Sequence, residues 1–102
     1  MKEYTLKYSE AAANDLGRLA SFATQMHTLD FAKRYVAQLR NEIEQLSYLA
    51  DALPQSRYEL PLAYHPDAKT LIVGNRKLTV IFHTDNENVL IDKIIPSAMI
   101  TH

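Results

Sequence analysis

The hydrophobic period of this 102-residue chain changes once, a little past its midpoint. From Ala32 to Leu53, apolar residues recur at helical spacing, and charged residues occupy the opposite face. From Thr70 to Ile95, the chain is instead rich in β-branched and aromatic residues, which is typical of strands. Because the helices precede most of the strands, we expect an α+β fold with helices packed on one face of an antiparallel sheet.

Two helices joined by a short linker are predicted for the first half of the chain, as an αα-hairpin. The first covers residues 10 to 25, because the Ser9 hydroxyl can accept from the free amides of a first helical turn. The second begins after a cap from Thr28 or Asp30, and Pro54 ends it. Gly17 weakens the first helix by about 1 kcal/mol relative to alanine, so we expect its small size to serve close packing.

Strands are predicted on both sides of the hairpin. Residues 4–8 alternate apolar and polar side chains, as a half-buried strand does. Residues 57–60 are expected to be short and extended, and Pro61 interrupts them. Three strands follow at residues 70–73, 78–82 and 89–95, with turn-forming residues at 85–88. The predicted fold is one α+β domain over residues 1–102: an N-terminal strand, an αα-hairpin and a C-terminal antiparallel sheet.

The composition narrows the classes of function. The absence of cysteine excludes disulfides, zinc–thiolate sites and thiol nucleophiles. With 11 Lys and Arg residues against 12 Asp and Glu residues, any contact with nucleic acid has to come from a local patch. The N-terminal stretch has no signal-peptide core, and no apolar run reaches membrane-spanning length. We therefore expect a cytoplasmic protein with no cofactor and no membrane or metal partner.

The order of the predicted elements resembles that of RelE/ParE-type toxins of type II toxin–antitoxin modules. The resemblance lies in the strand YTLKYS, the helices EAAANDLGRL and FAKRYVAQLRNEIEQLSYLADALPQSR, and the hairpin LIVGNRKLTVIFHTDNENVLIDKII. It implies a toxin that a cognate antitoxin neutralises. RelE-like members cleave messenger RNA on the ribosome without a metal, whereas ParE-like members poison DNA gyrase. A catalytically degenerate binding or regulatory module of the same fold is the alternative, so the resemblance leaves open whether the chain is an enzyme.

Alignment with the family at the turn of Asp85 and Asn86 places Phe82 on the family's central aromatic residue. Thr79 then occupies the position of a catalytic arginine, and Pro96 occupies that of a C-terminal histidine. RNA cleavage without a metal needs side chains that transfer protons and stabilise the charge on the phosphorane. Neither threonine nor proline supplies this chemistry, so other residues would have to carry it.

Four residues are the candidates for catalytic roles: Arg57, Arg76, Lys77 and His83. Arg76 and Lys77 could clamp a phosphate, or they could form a solvated strand start that discourages edge pairing. His83 could transfer a proton near neutral pH, or it could be a strand-end histidine without a role. Arg57 could reach across the sheet, or it could lie at the surface without a function.

Three further pairs of residues have both a functional and a structural interpretation. His65 and Asp67 would supply only two ligands from one loop, which is too few for a metal site. Tyr58 and Tyr64 either stack on bases or pack against a helix. Met99 and Ile100 belong either to the core or to a contact with the antitoxin.

Overall fold

Residues 3–100 are described by a computed structural model, in which helices precede most of the strands. The elements are, in chain order, β1 (Thr5–Tyr8), α1 (Glu10–Met26), α2 (Leu29–Glu44), α3 (Leu46–Leu49), a 3-10 turn (Ala50–Ala52), α4 (Glu59–Leu62), β2 (Lys69–Val73), β3 (Leu78–Asp85), β4 (Asn88–Pro96) and a second 3-10 turn (Ser97–Met99). This order confirms the predicted α+β architecture.

The two long helices begin at side-chain caps. Ser9 Oγ accepts a hydrogen bond from Ala12 N at 2.9 Å, and Thr28 Oγ1 accepts from Phe31 N at 3.1 Å. Each bond satisfies an amide that has no partner within the first helical turn. Thr28 is therefore the cap of α2, and Asp30 lies in the first turn, where the helix dipole favours a carboxylate.

The four strands form one mixed sheet in the order β1-β4-β3-β2. β2, β3 and β4 pair antiparallel, as predicted, while β1 pairs parallel with β4. A register shift between Ile81 and Phe82 of β3 leaves Asp92 as an extra residue in β4. Because β1 and β4 are parallel, the chain has to cross over between them, and α1 and α2 make part of that crossover.

Each face of the sheet carries its own apolar cluster. The main core lies between the helices and the sheet and includes the fully buried residues Leu39, Ile43, Phe82 and Ile91. The smaller cluster, on what we call the open face, is formed by Ala68, Ile81 and Ile95, with Leu60, Leu62 and Ile100 packed against it. Within residues 3–100, no helix combines the length and the apolar character that a membrane crossing needs.

Asp15 of α1 accepts a hydrogen bond from a backbone amide of β4 at a position where β1 no longer pairs with that strand. The pairing of β1 with β4 stops at Ile91, and Asp15 Oδ2 then accepts from Ile94 N at 2.9 Å. Asp15 Oδ1 accepts from Lys93 Nζ at 2.8 Å and also pairs with Arg18. The side chain is only 5% exposed. The aspartate that precedes Leu16 in the first helix therefore ties α1 to the sheet.

The second predicted helix is interrupted in the structure. α2 ends at Glu44, and Gln45 leads into α3 and the first 3-10 turn, after which Pro54 follows. The apolar stripe continues across this break, because Leu46 and Ala50 are fully buried in the main core. An unbroken stripe therefore did not distinguish one long helix from several helical segments that pack on the same core.

Two further expectations are wrong. Residues 57–60 are not extended throughout, because α4 begins at Glu59 and includes Pro61 in its first turn, where a missing N–H is tolerated. Leu60 packs on the smaller cluster, and this burial explains why a single helical turn forms there. Gly17 does not serve close packing, because a Cβ at that position would meet no atom within 4 Å.

Candidate functional site

A shallow cavity of about 270 Å³ opens on the open face of the sheet, where the family's catalytic arginine would be expected. Its lining residues are Tyr58, Thr70, Ile72, Arg76, Thr79, Ser97 and Ile100. Thr79 is only 3% exposed, and its hydroxyl lies 2.9 Å from that of Ser97. The lining of the cavity therefore includes two neutral hydroxyls bonded to each other.

Arg76 lies at the mouth of this cavity, in the turn between β2 and β3. Gly74, Asn75 and Arg76 all have left-handed backbones, with φ angles of 63°, 57° and 69°. For an arginine this conformation costs roughly 1–2 kcal/mol. The guanidinium is the cation among the lining residues and gives the cavity a positive rim.

Lys77 and Arg57 do not join Arg76 in a single clamp. Lys77 lines a different cavity, on the helical side of the molecule, although it is adjacent to Arg76 in sequence. Arg57 is exposed and places its guanidinium carbon 5.9 Å from the ring centroid of Tyr58. It therefore approaches the cavity through Tyr58, which is 41% exposed and forms part of the lining.

His83 lies further along β3 than the cavity. It is four residues beyond Thr79 on the same face, which corresponds to roughly 13 Å along a strand. Its Nδ1 lies 2.7 Å from Asp92 Oδ2, and its ring stacks on His65 with centroids 3.8 Å apart. Its side chain is 13% exposed. The structure thus gives His83 a carboxylate and an aromatic partner of its own, away from Arg76.

The four predicted residues therefore occupy three places rather than one. Arg76 can attract an anion to the cavity, and Arg57 lies against its Tyr58 wall, but the hydroxyls of Thr79 and Ser97 are neutral near pH 7 and are poor general acids or bases. Two tyrosines with shifted pKa values lie elsewhere. A hydrogen bond to Asp51 and burial raise the pKa of Tyr4, and burial, with the Glu44 charge, raises that of Tyr8.

A larger cavity of about 630 Å³, which we call the hairpin groove, opens between α1, α2 and the β2–β3 turn. It is lined by Leu19, Phe22, Ala23, His27, Phe31, Tyr35, Gln38, Leu39, Glu42, Gly74, Asn75 and Lys77. Its wall carries three rings at intervals of four residues, with centroids 4.1 Å apart for His27 and Phe31 and 6.3 Å apart for Phe31 and Tyr35. Phe31 and Tyr35, four residues apart, are neighbours on the surface of α2, whereas His27 precedes the cap residue of that helix.

Further apolar residues are exposed around the junction of α1 and α2. Phe22, Met26 and Leu29 are 62%, 62% and 57% exposed, and Phe22 also lines a second cavity of about 620 Å³ against β4. Met99 lines that second cavity and is 58% exposed, whereas Ile100 packs on the smaller core cluster. The sequence prediction missed Phe22 and Phe31, although aromatic residues four apart near the start of α2 were a visible signal.

The remaining candidates are dispersed. Tyr64 is 43% exposed, and His65 accepts a hydrogen bond at Nδ1 from Asp67 N at 3.0 Å. Across residues 3–100, no group of three or more histidine, aspartate or glutamate side chains is arranged to hold a metal ion.

The four-stranded sheet with the helical hairpin on one face has the fold of RelE/ParE-type toxins. In particular, the chain is similar to a chain in the solved structure described as "Chromosomal ParDE TA system from P. aeruginosa", with a TM-score of 0.77. The two chains are 18% identical, and the match covers 92% of this chain and 96% of the other. The predicted resemblance is thus confirmed at the level of the fold. No known protein-family model matches the sequence, and no curated protein does.

Proposed function

We propose that this chain is the toxin of a type II toxin–antitoxin module and that a cognate antitoxin neutralises it. The observation that carries the proposal is the match to a chain of a ParDE TA system over nearly the whole of both chains. Because fold alone does not determine function, a second line of support has to come from the surface of the molecule.

The hairpin groove is the surface that we assign to the antitoxin. It exposes Phe22 and Phe31, and isolated soluble domains rarely expose a contiguous apolar surface of this kind without a partner. A groove between two helices is suited to an amphipathic segment that buries its apolar face. Lys77 and Glu42 lie at its polar side, where they can fix the orientation of that segment.

We further propose that the toxin acts without cutting RNA, as ParE-like gyrase poisons do. The separation of Arg76, Lys77 and His83 supports this, since proton transfer and charge stabilisation have to converge on one phosphate. The hydroxyls of Thr79 and Ser97, which are neutral and bonded to each other, support it too. A RelE-like cleavage of messenger RNA on the ribosome would need catalytic groups that the cavity does not gather. Whether the target is DNA gyrase or messenger RNA on the ribosome, the toxin would act in the cytoplasm.

One experiment tests both the toxin assignment and the proposal that the chain acts without cutting RNA. The chain is expressed alone and then together with the product of the gene next to its own, as the candidate antitoxin, and growth, DNA supercoiling and messenger RNA integrity are measured in the same cultures. We expect growth arrest with loss of supercoiling and intact messenger RNA, and we expect co-expression of the antitoxin to restore growth. The variants Arg76→Ala and His83→Ala should remain toxic.

The other outcomes separate the alternatives. Cleaved messenger RNA that disappears in Arg76→Ala or His83→Ala would establish the RelE-like mechanism and overturn the gyrase proposal. Normal growth of the cells together with stable binding of the chain to the product of the neighbouring gene would favour the catalytically degenerate binding module. Normal growth without binding would overturn the toxin assignment.

A further inference from the structure

Two histidines that are far apart in sequence stack face to face on the open face of the sheet. His65 belongs to the loop of residues 63–68, which joins α4 to β2, and His83 belongs to β3. Their ring centroids are 3.8 Å apart, and their planes differ by only 5°. The stack attaches the loop to the sheet next to the smaller core cluster, on which α4 packs.

Hydrogen bonds determine where protons can reside in this pair. Asp92 Oδ2 is 2.7 Å from His83 Nδ1, and because a carboxylate only accepts, His83 donates that hydrogen bond. His65 Nδ1 accepts from Asp67 N at 3.0 Å and must therefore be unprotonated. The closed arrangement thus tolerates a charge on His83, which faces a carboxylate, but requires His65 to be neutral.

A second proton would break this arrangement in two ways. It would occupy the Nδ1 lone pair of His65 that accepts from Asp67 N, and it would place two cations in parallel rings 3.8 Å apart. A shared metal ion does not resolve the conflict. The nitrogen lone pairs lie in the ring planes, and parallel planes do not converge on one ion.

We propose that His65, His83 and Asp92 form a pH-sensitive clasp that holds the loop of residues 63–68 against the sheet and releases it on acidification. The open state binds one more proton than the closed state, so acid favours opening by up to about tenfold per pH unit. The change falls between roughly pH 8 and pH 5, where histidine side chains change charge. Release of the loop loosens α4 and uncovers the open face. This inference does not depend on the toxin assignment.

The other charged groups around His65 and His83 do not cancel the repulsion between the two protonated rings. Asp85 lies two residues beyond His83 on the same face of β3, roughly 7 Å along the strand. Lys7 of β1 is paired with Leu90, which in turn is paired with His83, so Lys7 lies roughly 10 Å away across two strand spacings. The carboxylates of Asp67 and Glu59 are exposed to water, in the loop and at the start of α4. Asp92 is therefore the charge in direct contact.

Amide hydrogen exchange of the purified full-length chain tests the clasp. Ser56 N donates to Ala68 O at 2.7 Å, so exchange of the Ser56 amide, corrected for its intrinsic rate, reports whether the loop is seated. We expect its protection to fall at least tenfold between pH 8 and pH 5. In His65→Phe, which retains a flat ring but no titrating nitrogen, protection should not change with pH. His27→Phe is the matched control for this exchange measurement alone, because His27 lies in the hairpin groove, and its Ser56 protection should change with pH as in the wild type.

A second variant keeps the test decisive if His65→Phe does not fold. In Asp92→Asn, His83 loses the carboxylate that favours its protonated form. His83 therefore becomes a cation, and repels a protonated His65, only at lower pH. The Ser56 transition should therefore move to lower pH. Constant Ser56 protection in the wild type, an acid transition that persists in His65→Phe, or an unmoved transition in Asp92→Asn would each overturn the proposal.

Discussion

The two glycines of this chain are under opposite constraints. A Cβ at Gly17 would meet nothing within 4 Å, in the interior of α1. A Cβ at Gly74 would lie 3.2 Å from Leu39 Cδ2 and 3.3 Å from Leu78 Cδ1, on a backbone with φ of +63°. Gly17 therefore costs backbone entropy without any gain in packing. Gly74, in contrast, is required both by its left-handed backbone conformation and by the close approach of Leu39 and Leu78.

We predict that Gly17→Ala raises the free energy of unfolding by about 0.5–1 kcal/mol, because alanine is the better helix former and restricts the unfolded chain. Gly74→Ala is the matched control and should lower stability by roughly 1–2 kcal/mol. Urea denaturation of both variants measures the difference. A destabilised Gly17→Ala would mean that α1 packs against something at that position.

Residue identity alone did not locate the candidate site. The sequence indicated Arg76, Lys77 and His83 as chemically reactive residues that lie close together in the chain. However, the side chains of adjacent residues in a turn or a strand point in different directions. Only the backbone of the β2–β3 turn decides that Arg76 lines the cavity on the open face and that Lys77 lines the hairpin groove. The pairing of His83 with Asp92 was equally hidden, because it depends on the bulge in β4.

At the scale of elements, Asp15 joins α1 to the sheet in place of a strand. Its carboxylate accepts from the backbone of Ile94 and from the side chain of Lys93, beyond the point where β1 stops pairing with that edge of β4. We predict that Asp15→Ala lowers the free energy of unfolding by about 1–3 kcal/mol, because a buried N–H loses its acceptor. Thermal and urea denaturation measure the change.

Arg18→Ala provides the control for that prediction. The Arg18 side chain is 67% exposed, and its ion pair with Asp15 should contribute less than about 1 kcal/mol. Asp15→Asn should lie between the two, because the amide oxygen can still accept from Ile94 N although the charge is lost. Equal stability of Asp15→Ala and Arg18→Ala would show that the contact with the β4 edge contributes little.

Elements with local signals were predictable, and elements that depend on tertiary contacts were not. The caps at Ser9 and Thr28, and the period-two strands, follow from nearby residues. The break after Glu44 and the helical turn that contains Pro61 depend on packing against the sheet. The parallel pairing of β1 with β4 joins residues more than 80 positions apart, and nothing local specifies it.

At the scale of the whole molecule, the fold leaves an apolar groove that the monomer does not fill. Phe22 is 62% exposed and lines the cavities on both of its sides, so its side chain contributes little to the folded monomer but much to a docked partner. Tyr48, in α3, is 52% exposed and lines neither cavity. These two residues are therefore a matched pair for testing the surface assigned to the antitoxin.

We predict that Phe22→Ser weakens binding of the antitoxin roughly 10- to 100-fold, which is the range expected for loss of an aromatic anchor. Unfolding of the free chain should be almost unchanged, because Phe22 is 62% exposed. Tyr48→Ser should bind like the wild type. Isothermal titration with the purified antitoxin measures the affinities, and co-expression should rescue growth less well for Phe22→Ser than for Tyr48→Ser. If both variants bind with wild-type affinity, the antitoxin covers a different face, and the exposed rings of the hairpin groove require another partner.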